Sequence, residues 1–219
     1  MHDSKNISAD RLCALFSQAR LNGYTSLDEH EANIALIGSI SSRLCVLELI
    51  IRNLTYQILQ SQNPQWFETL PKTIRISKDK NRKYLTREEL IFSQTLGFWV
   101  VVVNHHKIHN KIFDRDFLDN LDFRKYHIKN KNRFNRHIRL MDYHKAKAIL
   151  HLFHLIRNRS FHIENLYKFV NNGYPRLNVK IENAHKEIVY IAIEPNKIIE
   201  FLNDLIASYD KDLIGYGEK

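Results

Sequence analysis

Residues 36–58 read LIGSISSRLCVLELIIRNLTYQI, and their apolar side chains recur with the period of an α-helix. Successive members of this apolar stripe are four or three residues apart, at Leu36, Ile40, Leu44, Leu47, Ile51, Leu54 and Ile58. Such spacing places every member on one face of a helix. We expect this helix to run from about Asp28, whose side chain can cap its first turn, to about Gln60. A helix of this length predicts a mainly α fold organised around it.

Signals for further helices lie on both sides of this stretch. Ser8 is expected to cap a first helix that Gly23 ends, and Thr86 with Glu89 has the spacing of a capping box. Residues 96–103 form the longest apolar run. We interpret them as a buried helix, although short apolar runs are also typical of strands.

The C-terminal half predicts more helices and one small sheet. Residues 114–126 are expected to hold a short helix. Two segments of alternating polarity within residues 177–193 favour a small β-hairpin, and Pro195 is expected to begin a last amphipathic helix. A longer helix precedes the hairpin, with apolar residues on one face at Ala146, Ile149, Leu150, Phe153 and Ile156.

Composition bounds the domain organisation. The chain has 219 residues, of which 44% are hydrophobic, enough for one domain with a sizeable core. Residues 1–219 are therefore predicted to form a single helical domain, with residues 1–7 disordered. Cys13 and Cys45 form no Cys-x-x-Cys pair, so neither a disulfide framework nor a zinc site is expected.

The hydrophobic pattern also bears on location and cofactors. The longest apolar run is far shorter than the roughly 20 residues that span a bilayer, and the N-terminal residues have no signal-peptide core. We therefore expect a cytoplasmic protein that does not associate with membranes. The sequence contains no Gly-rich phosphate loop, and no cofactor or metal is expected.

Positive charge is concentrated in one part of the chain. The formal net charge is +9, and nine Lys or Arg residues lie between Arg124 and Lys147 against one acid, Asp142. This stretch favours a polyanion such as nucleic acid, or an anionic membrane surface, although a solubilising surface fits the charge equally well. The candidate RNA-binding residues are Arg124, Lys125, Lys129, Lys131, Arg133, Arg136 and Arg139. The aromatic residues among them would either stack on unpaired bases or anchor a helix, at Tyr126, Phe134 and Tyr143.

Arg157, Asn158 and His162 form a cluster suited to phosphate chemistry on RNA. Histidine exchanges protons near neutral pH, so His162 can act as a general base or acid. The guanidinium of Arg157 can hold phosphate oxygens through paired hydrogen bonds, and Asn158 can orient either group. Structural readings compete with this one, because histidine is common at helix ends and Arg-Asn pairs are common on helix surfaces.

The spacing of Arg157 and His162 limits how they can act together. Positions i and i+5 lie about 140° apart on a regular helix. The two side chains therefore converge only if the helix ends or distorts near Ser160, or if two chains share the site. We favour a homodimer, because an isologous interface brings two copies of the motif face to face.

The segment from Ile156 to Glu164 reads IRNRSFHIE and resembles the RNxxxH motif of HEPN ribonucleases. It is most similar to the Abi-like, or abortive-infection, group, whose motif commonly continues His-His-Glu. The first His and the Glu correspond to His162 and Glu164, and Ile163 replaces the second His. That departure removes any role of the second His and leaves the core motif intact.

Upstream segments extend the resemblance over roughly residues 28–205. Residues 47–53, LELIIRN, are similar to the Leu-Glu-x-x-x-Arg-Asn helix of the same group. Trp66-Phe67 and Leu-Gly-Phe-Trp at residues 96–99 follow in the family's order. Each motif is short, and their order carries the resemblance.

The resemblance implies a helical HEPN bundle, usually dimeric, with metal-independent endoribonuclease activity that leaves 2′,3′-cyclic phosphate ends. It also implies a role in phage defence or as a toxin, with an antitoxin protein or RNA as a partner. Supporting roles would fall to Glu48, Arg52, Asn53 and Glu164. Glu48 and Arg52 also fit an ordinary i,i+4 ion pair, and we expect structural support rather than direct catalysis from them.

Two histidine pairs and two other functions complete the hypotheses. His105 and His109 have the spacing of a metal pair without a third ligand, and we expect a polar helix end there. His151 and His154 are expected to face solvent, or RNA. The alternative function is an RNA-binding or protein-binding helical module without catalysis. A DNA-binding regulator is a weaker alternative, because no helix-turn-helix is evident.

Overall fold

The computed structural model describes residues 7–78, 86–170 and 173–217, and in these ranges the chain is mainly helical with one small sheet. The helices are α1 (Ala9–Phe16), α2 (Gln18–Leu21), α3 (Leu27–Gln62), α4 (Arg87–Phe92), α5 (Leu96–His106), α6 (His109–Ile112), α7 (Arg115–Asn120), α8 (Asp142–Phe161) and α9 (Ile198–Ala207). The strands are β1 (Asn178–Glu182) and β2 (Ile188–Ala192). The predicted mainly α class with a hairpin within residues 177–193 is confirmed. Residues 1–6 of the segment expected to be disordered lie outside the described residues.

The long helix α3 begins one residue before the predicted start, because Ser26 caps it. The Ser26 hydroxyl accepts a hydrogen bond from Glu29 N at 3.1 Å, which satisfies one of the free N–H groups of the first turn. The central members of the predicted apolar stripe are fully buried, at Ile40, Leu44, Leu47 and Ile51. This periodicity made α3 the most predictable element of the fold.

The buried face of α3 shifts towards its C-terminal end. It continues from Ile51 to Thr55 and Leu59, whereas the predicted Leu54 and Ile58 are half-buried. Thr55 tolerates burial because its hydroxyl donates to Ile51 O at 2.7 Å. In the described ranges α3 is also the one helix that could cross a membrane by length and composition, a criterion that the core helix of a soluble protein meets too.

α5 and α8 pack against α3 and form the centre of the core with it. α5 is the helix predicted for the long apolar run, and its Trp99 is fully buried. Trp66 lies in the turn after α3, and its ring centroid is 6.0 Å from that of Trp99. The two large aromatic side chains therefore join α5 to the end of α3.

The hairpin packs on α8 and is fixed by a buried asparagine. Val179 of β1 is opposite Ile191 of β2 in the antiparallel register, and β1 contacts α8. Asn130 donates from Nδ2 to Ala192 O and accepts from Ala192 N, both at 2.8 Å. Because both bonds are buried, they hold β2 to the irregular stretch that precedes α8.

The first helix differs from its prediction. Ser17, with φ 64°, separates α1 from α2 by serving as the C-cap of one and the N-cap of the other. Its hydroxyl accepts from Arg20 N at 3.4 Å, which favours starting a new helix over continuing the old one. Leu15 and Phe16, at the end of α1, are exposed. The sequence pattern of so short a helix does not show whether another element packs on its apolar face.

The segment predicted as a short helix at residues 114–126 is helical only in part. α7 is capped by Asp114 and ends at Asn120, and residues 123–125 form a single 3-10 turn. Asp122 accepts from Arg124 N at 2.9 Å and caps this turn. The basic stretch that follows, up to α8, is irregular.

Candidate active site

The C-terminal end of α8 falls inside the segment that carries the predicted catalytic residues. After Phe161 the helix is closed by a hydrogen bond from Ile163 N to Ser160 O at 3.0 Å. A second bond runs from Glu164 N to Arg159 O at 2.8 Å. This pair is the Schellman arrangement, in which the residue after the cap takes a left-handed conformation. That residue is Ile163, with φ 53°.

The chain that follows is held by Asn33 of α3. Asn33 is fully buried; its Oδ1 accepts from Leu166 N at 2.8 Å and its Nδ2 donates to Glu164 O at 3.2 Å. Nearby, Asn165 donates to Gly23 O at 3.0 Å. Sequence reasoning missed Asn33. Its signal was present, because Asn33 is a polar residue on the N-terminal extension of the apolar stripe.

Arg157 points from α8 to α3. Its Nε donates to Glu48 Oε2 at 2.8 Å, and its Nη1 donates to Asn158 Oδ1 at 3.3 Å. The guanidinium carbon lies 4.8 Å from the centre of the Phe161 ring, a cation–π contact. The structure thus brings Arg157, Asn158 and Glu48 together, and Glu48 fixes the direction of the guanidinium.

Glu48 binds a second arginine from its own helix. Arg52 Nη1 is 3.3 Å from Glu48 Oε1, with both side chains largely buried. Arg52 also donates from Nη2 to Phe92 O at 3.2 Å and to Gln94 O. Burial lowers the pKa of Arg52, and the Glu48 carboxylate opposes that shift. Arg52 therefore ties Glu48 to the link between α4 and α5, which agrees with the expected structural support.

Asn53 does not join this group. It is exposed on α3, and its side chain makes no hydrogen bond with the residues that the structure describes. Its neighbour Arg52 is turned towards the carboxylate of Glu48. The Arg-Asn pair of the upstream motif is thus divided between a buried and an exposed position.

Asn158 is bonded on both sides. Besides accepting from Arg157, it contacts His154 through Nδ2 and Nε2, 2.9 Å apart. Burial lowers the pKa of His154, the nearby Arg157 charge lowers it further, and Glu48 partly offsets both effects. The expectation that His154 faces solvent is therefore wrong: the ring is half-buried and hydrogen-bonded within the site, because α5 and β1 cover this part of α8.

His162 is the C-cap residue of α8, and its backbone N–H donates to Asn158 O at 3.0 Å. Its side chain is exposed and makes no hydrogen bond or ion pair with any described residue. The helix does end near Ser160, at Phe161, yet Arg157 is turned to α3 and does not bond to His162. Within one chain the two side chains therefore do not meet.

Glu164 has a structural position. Its Oε2 accepts from Arg159 and, at 2.9 Å, from Arg176 Nη2. Burial lowers the pKa of Arg159, and the neighbouring Arg176 charge acts in the same direction. Glu164 thus neutralises two arginines and anchors the end of α8 away from Arg157, which fits its predicted supporting role.

The basic stretch divides into paired and unpaired cations. Arg124 is paired with Asp122 at 2.6 Å, and Lys125 with Asp204 at 2.7 Å. Lys129 lies over the Tyr174 ring, 5.8 Å from its centre. The remaining candidates line a surface cavity of about 850 Å³ and pair with no described carboxylate: Lys131, Arg133, Arg136 and Arg139. These four cations therefore present charge that no described carboxylate neutralises.

The aromatic residues of the stretch are not arranged as a base-stacking surface. Tyr126 is a core residue whose hydroxyl donates to Asp204 Oδ2 at 2.6 Å. Phe134 packs against the hydrophobic core, and Tyr143 lies against the ring of His109, 4.8 Å between centroids. The interpretation of these residues as core anchors is the better one.

His109 is fully buried rather than part of an exposed helix end. Its Nε2 lies 2.8 Å from Asn104 Oδ1, and burial lowers its pKa to about 4. His105 does not share this environment, and the described residues contain no group of three His, Cys, Asp or Glu side chains arranged for a metal ion. The position of His109 between α5 and α8 explains its burial.

No family model, curated protein or solved structure matches this chain. What the geometry offers is a buried carboxylate that aims an arginine, an asparagine bonded to that arginine, and an exposed histidine one turn further along α8. A guanidinium is a group type that holds phosphate oxygens, and an imidazole is one that transfers protons near neutral pH.

Proposed function

We propose that this protein is a metal-independent endoribonuclease, similar to the Abi-like group of HEPN ribonucleases, that cuts RNA through Arg157, Asn158 and His162. The proposal is carried by the 2.8 Å hydrogen bond from Arg157 Nε to Glu48 Oε2. This bond joins the two sequence motifs on which the family resemblance rests, although 109 residues separate them in the chain.

The reaction assigns one task to each side chain. His162 takes the proton from a ribose 2′-hydroxyl, whose oxygen attacks the adjacent phosphorus. The bond to the 5′-oxygen breaks, and that oxygen takes a proton from water, to which His162 returns the proton it accepted. Arg157 balances the extra negative charge on the non-bridging oxygens of the transition state. Asn158 holds the guanidinium through Nη1. The products are a 2′,3′-cyclic phosphate and a 5′-hydroxyl.

The active form in this proposal is a homodimer. Three large apolar side chains are exposed around the Glu48–Arg157 pair: Leu49 (59%), Phe161 (52%) and Ile163 (42%). Association of two copies through this surface would bury them and place the two His162 side chains near each other. The second copy then supplies the imidazole that Arg157 lacks within its own chain.

The unpaired cations at the other end of α8 would guide RNA to the site. Lys145 lines the same cavity as Arg136 and Arg139, and it precedes Arg157 by twelve residues. At 1.5 Å per residue the two ends are about 18 Å apart. A single-stranded RNA of a few nucleotides spans that distance. The cell that makes such an enzyme needs an antitoxin protein or RNA to restrain it, and abortive infection or toxin action in the cytoplasm is the proposed role.

The test is cleavage of labelled single-stranded RNA in the presence of EDTA. The wild type is expected to produce cyclic-phosphate ends, and His162→Ala to lower the rate by about 10²–10⁴-fold without a change in unfolding free energy. His185→Ala, which removes an exposed histidine from the β1–β2 turn, is the matched control and should cut normally. Light scattering of the same samples is expected to give twice the 26.1 kDa chain mass.

One alternative has its own observation in its favour. The cavity lined by Lys131, Arg133, Arg136 and Arg139 suits an RNA-binding module without catalysis as well as it suits the enzyme. Binding that weakens steeply with salt, with no cleavage product from the wild type, would select the module. Equal cleavage by wild type and His162→Ala would reject the role of His162.

A further inference from the structure

A groove runs beside Asn158 on α8. It lies between α5, α8 and β1 and has a volume of about 350 Å³. Its apolar lining comes from one residue of each element: Val100, Leu155 and Val179. This size is at the lower end of the range for small-molecule pockets. Because Asn158 lines the groove and also bonds to Arg157, the groove adjoins the candidate active site directly.

A chain of hydrogen bonds assigns the proton on His151 at one end of the groove. His109 Nε2 donates to Asn104 Oδ1 at 2.8 Å, and Asn104 Nδ2 donates to His151 Nε2 at 3.3 Å. His151 therefore accepts at Nε2, and the proton of its neutral ring is assigned to Nδ1. That N–H has no partner among the described residues and is available to a ligand.

The middle of the groove repeats this arrangement and adds an acceptor. His154 accepts from Asn158 Nδ2 at its Nε2, so its ring proton is also assigned to Nδ1. Asn178 of β1 donates from Nδ2 to Pro175 O at 2.6 Å, which leaves its Oδ1 as an acceptor. The groove thus offers two ring N–H donors and an amide oxygen above an apolar lining.

The groove carries no positive charge of its own near neutral pH. Burial lowers the pKa of His151 to about 4, with the neighbouring Lys147 acting in the same direction. The pKa of His154 is lowered for the reasons given above. A phosphate would have to bind here without an ion pair, whereas the cations that suit phosphates lie at Arg157 and in the basic cavity. An uncharged, flat, hydrogen-bonding group fits the groove better.

We infer that this groove binds an unpaired nucleobase of the RNA next to the scissile phosphate and gives the enzyme a base preference at that position. The apolar side chains contact the faces of the base, and His151, His154 and Asn178 contact its edge. This inference rests on the proposed function, because the base is identified by its attachment to a phosphate held at Arg157.

The test compares short RNAs that differ in one base on either side of a single cleavage site. The wild type is expected to prefer one base at one of these positions by about tenfold in kcat/KM, the size of one base-stacking contact. Val179→Phe fills the groove and should reduce that ratio to below about twofold. Ile188→Phe adds the same ring to an exposed position on β2 of the same hairpin and should keep the wild-type ratio.

The outcomes separate this inference from the proposed function. Cleavage with no base preference, or a preference that Val179→Phe leaves unchanged, overturns the groove assignment while the ribonuclease proposal stands. If the wild type cuts no RNA, the ribonuclease proposal fails, and fluorescence anisotropy of labelled pentanucleotides decides the groove alone. In that assay, the groove assignment is supported if Val179→Phe loses the base preference in binding and Ile188→Phe keeps it. The assignment is rejected if both variants show the same base preference.

Discussion

Glu48 forms ion pairs with two arginines on different helices, Arg157 of α8 and Arg52 of α3. All three side chains are mostly withdrawn from water. Loss of the carboxylate would therefore leave two largely buried guanidinium groups without a counter-charge, which is destabilising. In the proposed reaction Glu48 touches no substrate atom and acts through Arg157. It is therefore a positioning residue.

Replacing Glu48 by Gln tests this role. The neutral amide keeps the shape of the side chain but binds Arg157 more weakly, so the guanidinium should lose its fixed direction. We expect kcat for RNA cleavage to fall by about 100-fold while the affinity for RNA changes little, because a small misplacement of a catalytic group slows the chemical step. Single-turnover cleavage and equilibrium binding measure the two quantities separately.

The control is Glu68→Gln, which breaks the 2.7 Å ion pair of Glu68 with Arg87 on the surface. It should leave kcat and binding unchanged. A loss of RNA affinity equal to the loss of kcat in Glu48→Gln would mean that Glu48 supports the fold of the binding surface and does not position Arg157.

At the scale of elements, the chain that ends α8 has a β-branched residue, Ile163, in the left-handed backbone conformation. Ile163 has φ 53°, a region that β-branched side chains avoid because Cβ approaches the following carbonyl. Glycine is the usual residue at this place in a Schellman arrangement. The clamp by Asn33 and the ion pairs of Glu164 hold the chain there despite the cost.

Ile163→Gly should therefore stabilise the monomer by about 1 kcal/mol, measured at protein concentrations too low for two copies to associate, since the strained φ is relieved and the exposed side chain loses little apolar contact within its own chain. Ile188→Gly makes the same replacement at an equally exposed isoleucine in a β-strand, 43% against 42% exposed, and should destabilise the protein. Urea unfolding of both variants decides. A lower unfolding free energy for Ile163→Gly would contradict the claim that the backbone at Ile163 is strained.

The elements themselves differed in how far the sequence predicted them. α3, the helix at residues 96–106 and the hairpin were predictable because their patterns of burial repeat within a few residues. The break at Ser17 was not, because one side-chain hydrogen bond decided it. The pairing of Glu48 with Arg157 was not predictable, because their contact depends on how α3 packs against α8.

The histidines show the same limit within the site. His151 and His154 are one turn apart and look like a polar helix face, so the sequence favoured solvent. Their half-burial results from α5 and β1, elements that come from other parts of the chain. The burial of His109 was not predictable for the same reason. His162 lies at the end of α8, and its catalytic role stays a prediction.

On the scale of the whole molecule, the buried histidines make stability depend on pH. Burial holds the pKa of His109 and that of His151 at about 4, below the usual 6.5 of the unfolded chain. Between pH 6.5 and 4 the unfolded state binds protons that the folded state does not, so stability falls as pH decreases through this window. Above pH 6.5 this contribution is fully present. His109 alone accounts for about 3 kcal/mol across the window.

His109→Gln keeps a donor for Asn104 and cannot be protonated, so its unfolding free energy should depend less on pH than that of the wild type. Urea unfolding between about pH 7.5 and 4.5 measures the slope. His185→Gln changes an exposed histidine and should keep the wild-type slope. If both variants lose the same part of the slope, burial of His109 is not its cause.

The hydrogen bonds of Asn33 also determine when, during synthesis, the proposed toxicity can begin. The ribosome must add 133 residues after Asn33 before Leu166, its partner, exists. At roughly 5–20 residues per second this interval lasts on the order of ten seconds. During that time Glu48 has been made without Arg157, so the nascent chain carries no complete centre. A chain halted before residue 157 therefore lacks all three residues of the proposed site, Arg157, Asn158 and His162.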